Sequence, residues 1–225
     1  MNPRDGKGAR DVFEATAADY DSWYDSAEGR PLYESELECV KDVVPRPSMP
    51  LLEIGVGSGR FAMRFPGAIG VDLTTNLLRM ARKRGVKAVK ARGEALPFGD
   101  GVFGCVLAIA TLCFVESPLD VLMEAARVLR DGGCAVIGFI PRDSPWGALY
   151  EEKKRKGHPV YRHARFYTLD ELKAFLTDAG FSVERVKSTL LRRPDEERRT
   201  EEPLEGYVRG AGFVCVEAVK TRGGL

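Results

Sequence analysis

Histidine is scarce in this chain. His158 and His163 are the only two in 225 residues, and no grouping of Cys, His and carboxylates has metal-ligand spacing, which argues against a metal-dependent mechanism. The five cysteines form no C-x-x-C pair. Cys105, Cys113, Cys134 and Cys215 lie in apolar, strand-like runs, the setting of buried reduced thiols. Long apolar stretches are missing too: the longest are strand-sized, far short of the roughly 20 residues that a bilayer helix needs. The opening MNPRDGKGAR is polar and has no apolar targeting core. Neither sign of charge dominates, since 34 Lys and Arg against 33 Asp and Glu leave a net charge of +1. Such a balance offers no global field for nucleic acid or anionic lipid. There is no internal repeat and no low-complexity tract. These absences lead to the expectation of a cytoplasmic globular protein with neither nucleic-acid nor membrane partners, its oligomeric state open.

What is present is an alternation of strand-like and helix-like segments. Strands are predicted near 51–55, 68–72, 86–90, 103–110, 134–140, 181–189 and 212–219. Three helices have readable ends. Thr74 opens one that Gly85 stops, Ser117 with Pro118 and Asp120 opens the next, and Thr168 with Glu171 forms a capping box. Phe13 to Val44 reads as helical, residues 1–12 as frayed, and VPRPSMP (44–50) as the breaker that launches the first strand. The charged loop RRPDEERRTEEP (192–203) reads as a solvated connection between the last two strands. This order predicts an α/β domain, Rossmann-like, with helices on both faces of a mostly parallel sheet. Its divisions are an N-terminal helical segment over 1–50, a core over 51–225, and an insert at 141–165 fitting neither pattern throughout.

The stretch LLEIGVGSGRF (51–61) carries the chemistry: an apolar strand runs into Gly55, Gly57 and Gly59. A dinucleotide fingerprint would read G-x-G-x-x-G, but Arg60 stands where its third glycine belongs. Glu53, two residues before the first glycine, is a poor neighbour for pyrophosphate and a good one for a cation. Asp72 ends the next strand, where an acid accepts ribose hydroxyl hydrogens in any adenosine cofactor.

With these residues the sequence resembles the class I S-adenosylmethionine-dependent methyltransferases, in particular the small ubiquinone/menaquinone-biosynthesis-like group. The resemblance spans about residues 12–220 and rests on LLEIGVGSGRF, GVDLTTNLLRMARKRG, GEALPFGDGVF and EAARVLRDGGCAVIGFIPR, in the family's order. It implies a seven-stranded sheet with an antiparallel last strand, and S-adenosylmethionine as cofactor. It implies that Glu53, Gly55, Val56, Gly57, Ser58 and Gly59 surround the cofactor's methionine part, with Glu53 near the ammonium. Asp72 then holds the ribose, Leu73 packs on adenine, Gly93, Glu94 and Ala95 border the adenine edge, and Ala110 with Thr111 lies near the sulfonium. Arg92 departs from the pattern, standing where members usually carry an acid, and Phe103-Gly104 replaces the usual F-D pair.

The resemblance also suggests that DYDSWYD (19–25) is a lid, with Tyr20 and Tyr24 beside the cofactor and Trp23 as a further aromatic face. A helix packing its aromatic stripe on the core is the alternative. Candidates for catalysis are Tyr20 and, on the insert, His158, Tyr161 and His163; the insert's Lys153-Lys154-Arg155-Lys156 cluster reads as solvated or as facing an acidic substrate. The function expected is in-line methyl transfer to a small-molecule acceptor. A non-catalytic cofactor-binding protein and an NAD(P)-dependent oxidoreductase are the competing readings.

Overall fold

The computed structural model describes residues 7–45 and 50–221. Three helices, α1 (Lys7–Ala15), α2 (Ala17–Trp23) and α3 (Gly29–Val43), precede β1 (Leu51–Ile54). Then follow β2 (Ile69–Asp72), α4 (Thr75–Lys83), β3 (Lys87–Lys90), β4 (Phe103–Ile109), α5 (Pro118–Val128) and β5 (Leu129–Phe139). The chain closes with α6 (Pro145–Arg155), α7 (Leu169–Asp178), β6 (Phe181–Thr189), the short β7 (Leu204–Glu205) and β8 (Phe213–Lys220).

The sheet order is β3-β2-β1-β4-β5-β8-β6-β7. β1 to β5 pair in parallel, and β8 inserts antiparallel between β5 and β6. The expected seven strands are therefore present, with the two-residue β7 as an eighth at the edge. Along the central strands the side chains alternate between two apolar layers. Leu51, Cys105, Leu107 and Val136 join one face, and Leu52, Val106, Ala108 and Ala135 join the other. A sheet covered on both faces reads as continuous hydrophobic runs, as β4 does with every residue buried.

Helix ends follow the chemistry expected of them. Ser117 Oγ accepts the Asp120 N–H with Pro118 in the first turn, and Thr168 and Glu171 complete a capping box. Elsewhere the sequence reading needs correction. Residues 7–12, expected to fray, belong to α1, while residues 1–6 lie outside the described residues, as do 46–49 of the breaker VPRPSMP. The insert is not irregular: Ser144 caps α6, and a further short helical turn covers Tyr161–His163. β5 starts five residues earlier than expected, its DGG segment accommodated by a register shift against β4. The charged loop is docked rather than merely solvated, because the Glu201 N–H donates to Ser35 Oγ (2.8 Å) and Arg198 pairs with Glu28 (2.8 Å), both on or beside α3.

Candidate active site

The sheet order reverses between β1 and β4, and a cleft of about 580 Å³ opens there at the carboxyl ends of β1, β2 and β4. Its floor is backbone. Gly55 has φ 71°, and a Cβ there would sit 2.3 Å from Thr111 Oγ1, so only glycine fits beside Thr111. Gly57 has φ 51° and lines the cleft, yet a Cβ there would meet no protein atom within 4 Å. That open side is a cradle in which backbone can approach a ligand. Ala110, also on the wall, holds φ 49°, a strained conformation for a residue with a Cβ and of the kind that collects at functional sites.

Asp72 is fixed by two backbone donors, the Gly57 N–H to Oδ2 (2.9 Å) and the Thr74 N–H to Oδ1 (2.8 Å). Burial raises its pKa above the ordinary carboxylate value even against those hydrogen bonds. Glu53 lies behind the glycine turn rather than on the cleft wall. It is 2% exposed, and its Oε2 is buried with no hydrogen-bond partner among the described residues. Burial pushes its pKa up to about 8, with the Ala62 N–H opposing and the nearby Asp72 adding to the rise. A buried, unsatisfied carboxylate oxygen is costly, and a cation reaching it would remove the penalty.

Of the other residues expected at the site, Tyr20, Leu73, Gly93, Glu94 and Thr111 line the cleft. Val56 instead packs over Gly70, Gly59 packs against Ala81 and Val86, and Ala95 forms a bridge with Arg92. Ser58 turns away to donate to Asp21 Oδ1 at 2.5 Å. Tyr24 is set one ring back, its hydroxyl 2.9 Å from that of Tyr20. The insert candidates do not reach the wall. His158 Nδ1 accepts the Val160 N–H (3.3 Å), His163 Nε2 accepts Arg162 Nε (3.0 Å) and packs on Gly8, and Tyr161 stacks near Tyr150 with centroids 4.5 Å apart. The cleft's roof was only half foreseen. Phe13 of α1 meets both Tyr20 and Phe114 edge-on, each at 5.2 Å, and Ala9 and Arg10 extend the same wall. Arg92, the departure from the family pattern, is engaged by Glu116 (2.7 Å) and Glu94 (3.6 Å).

Arg60 has a role that its position in the glycine run does not reveal. It donates to Asp21 (2.8 Å) and Asp25 (2.6 Å) on and just after α2, and Arg84 adds a second bridge to Asp21 (2.7 Å). Burial alone would raise the Asp21 pKa, but hydrogen bonds from Arg60, Arg84 and Ser58 outweigh it and hold the carboxyl at about 2. The acids of DYDSWYD thus bolt the roof to the glycine turn, while Tyr20 faces the cleft.

A methyltransferase domain model matches residues 52–137. A solved structure from Thermotoga maritima, named as a SAM-dependent methyltransferase and possible histamine N-methyltransferase, superposes with a TM-score of 0.87. It is 37% identical and covers 95% of this chain and 100% of that one. Malonyl-[acyl-carrier protein] O-methyltransferase of Geobacter sulfurreducens is 32% identical over 197 residues, 80% of this chain and 72% of its own. The chain belongs to the S-adenosylmethionine-dependent methyltransferases. An uncharacterised protein of Methanocaldococcus jannaschii is 41% identical over 209 residues, 93% of this chain and 98% of its own. Membership makes the protein an enzyme with S-adenosylmethionine as cofactor, and removes the oxidoreductase reading that Arg60 already disfavoured. Among the described residues no helix is long and apolar enough to cross a membrane, and no three or more His, Cys, Asp or Glu are grouped to hold a metal ion.

Proposed function

We propose that this methyltransferase transfers the methyl group in line to a small-molecule acceptor, with the cofactor in the cleft at β1, β2 and β4. The residues present fit that cofactor. Asp72 has acceptor capacity left for the ribose hydroxyls beyond its two backbone bonds. Gly57 leaves open space where the methionine part passes, and the unpartnered Glu53 oxygen suits its ammonium. Bound S-adenosylmethionine supplies a methyl already activated on a sulfonium.

The protein's share is then alignment and dryness, for which positioning alone contributes about 7–11 kcal/mol. The observation that carries the reading is the aromatic roof. Phe13, Tyr20 and Phe114 cover one end of the cleft with ring edges and faces, which exclude water and favour a cation beside them. Tyr20 does not take a proton from the acceptor at neutral pH. Burial pushes its phenol up to about 12 despite the hydrogen bond with Tyr24, so it holds its own proton. An acceptor that arrives with a free lone pair needs no base. Helices α1 to α3, the described part of the expected 1–50 segment, act in this reading as the lid over the core. The acceptor named for the Geobacter relative is carrier-bound and the one named for the Thermotoga protein is an amine, so the relatives' names do not choose between them.

Calorimetric titration with S-adenosylmethionine, S-adenosylhomocysteine and NAD tests the cofactor site, and release of S-adenosylhomocysteine against a small-molecule acceptor panel tests the transfer. Binding of NAD in preference to the sulfur cofactors, or turnover with a carrier-bound acceptor alone, would overturn the proposal.

A further inference from the structure

Helix α3 carries an acid on the wrong face. Tyr33, Val40 and Val43 are buried in the apolar layer, and Glu36 shares their stripe at helical spacing. It is partly buried, and it makes no hydrogen bond or ion pair to any described residue. The cations beside Tyr150 are committed elsewhere. Arg198 pairs with Glu28 and lies over the Trp146 ring, and Lys153 Nζ lies over Tyr150 and Tyr161 at 5.2 and 5.5 Å from their centroids. An acid in an apolar layer without a partner costs stability, so a structural role does not account for it.

One turn before Glu36 on α3, Tyr33 leads into an aromatic group. The charge of Glu36 is felt by Tyr20, Tyr24 and Tyr150, and burial pushes its own pKa up to about 8. Tyr24 lies edge-on to Tyr33 with centroids 5.6 Å apart, and Tyr150 packs among Tyr161, Phe166 and Trp146 at 4.5, 5.9 and 6.4 Å. The Tyr20–Tyr24 hydrogen bond links this group to the cleft, because Tyr20 lines the cleft and Tyr24 stands behind it. Glu36 is therefore one ring beyond the cofactor cleft, on the side of the roof.

We propose that Glu36, with the rings of Tyr20, Tyr24 and Tyr150, is an acceptor subsite that takes the ammonium group of an amine substrate. The inference rests on the methyltransferase reading and deepens it by naming the acceptor's chemical class. A carboxylate with several aromatic faces is the arrangement that binds organic cations, since charge pairing and the ring quadrupoles act together. Glu36 anchors the acceptor at a distance from the reacting atoms, with Tyr20 between; it is a binding residue, not the proton acceptor.

The test uses the full chain with S-adenosylhomocysteine present. Binding of n-butylamine, benzylamine and 2-phenylethylamine is measured by calorimetry, each against its alcohol and carboxylate isosteres. At least one amine is expected to bind about tenfold or more tightly than its isosteres, the factor expected of a charge-assisted contact. Glu36→Gln should erase that preference while leaving the S-adenosylhomocysteine affinity and the melting temperature no lower than in the wild type. A wild type that binds alcohol or carboxylate as well as amine, or that binds none of the amines, overturns the subsite, as does a Glu36→Gln variant that keeps the preference. Should that variant fail to fold, the wild-type isostere comparison decides alone. Failure of the wild type to bind S-adenosylhomocysteine is a separate result and counts against the cofactor reading instead.

Discussion

The two sides of the cleft are made of different materials. The floor, at the ends of β1, β2 and β4, is backbone: glycines at positive φ, amide N–H groups aimed at Asp72, and one buried acid behind the turn. The roof, from α1, α2 and Phe114, is side chain: aromatic rings meeting edge to face, with ion pairs behind them. A backbone site permits few residues at fixed positions, because a Cβ at Gly55 collides with Thr111. An aromatic roof accepts many arrangements of rings. The floor suits a cofactor shared across a family, and the roof suits an acceptor that differs among its members.

Breaking the join between them should have the largest effect. Asp21→Ala leaves Arg60 and Arg84 without their shared partner in a part-buried setting, which costs about 3–5 kcal/mol. Urea or thermal melts should show that loss, and cofactor affinity should fall with it because the roof detaches from the glycine turn. The contribution has a pH signature. With the folded pKa depressed to about 2, it is fully present above the unfolded value and disappears as pH drops through the folded one. A variant as stable as the wild type at neutral pH would show that the network does not hold the roof.

Glu53 distinguishes the floor by proton linkage. Its folded pKa of about 8 means that the acid is mostly neutral at pH 7, while an ammonium ligand requires the carboxylate. Affinity for S-adenosylhomocysteine should therefore rise between pH 6 and 8, by close to tenfold per unit at most. Stability of the free protein should run the other way. A carboxyl raised in the folded state binds its proton there more tightly than in the unfolded chain, so stability declines as pH rises through that window. Asp72 is also raised and acts in the same direction, so Glu53→Gln is the control: it should flatten both slopes. Slopes unchanged in Glu53→Gln would remove the acid from the ammonium site.

The floor was more legible in the sequence than the roof, of whose lining residues only Tyr20 was expected, and the reason is physical. Gly55, Gly57 and Asp72 were found because backbone geometry dictates residue type and spacing, Thr111 only through the family resemblance, and all four line the cleft. The strand positions followed from the apolar runs. Phe13 escaped because KGARDVFEA is a short helix, polar on average, and its ordering comes from tertiary contacts such as Asn76 Nδ2 donating to the Glu14 carbonyl (3.0 Å). Arg60 was read only as a missing glycine, although the two acids in DYDSWYD that bind it were in view. His158 and His163 attracted attention by type, yet one nitrogen of each accepts from a local donor and neither residue lines the cleft. Side-chain partners far apart in sequence leave no spacing to read.

Asp72→Asn probes the floor more gently, since the amide keeps one acceptor for a backbone N–H. Losing the charge should cost about 2 kcal/mol, or roughly thirtyfold in the dissociation constant for S-adenosylmethionine. The acceptor subsite should be untouched, so the ratio of amine to alcohol binding stays at its wild-type value. A parallel fall in that ratio would mean that floor and roof are not separable.

The smallest effect gives the sharpest comparison. Gly57 and Gly85 both adopt positive φ, at 51° and 83°, and at neither would a Cβ meet a protein atom within 4 Å. Alanine at either position should lower stability by about 1 kcal/mol, the cost of a left-handed conformation for a residue with a Cβ. They differ in one respect: Gly57 lines the cleft and Gly85 follows α4 away from it. Gly57→Ala should therefore also weaken S-adenosylhomocysteine binding, because the added methyl occupies the space in which backbone approaches the ligand, whereas Gly85→Ala should leave the affinity unchanged. Equal affinities in the two variants, measured by calorimetry at matched stability loss, would mean that the cofactor does not pass over Gly57 and that the open side of that turn serves some other contact.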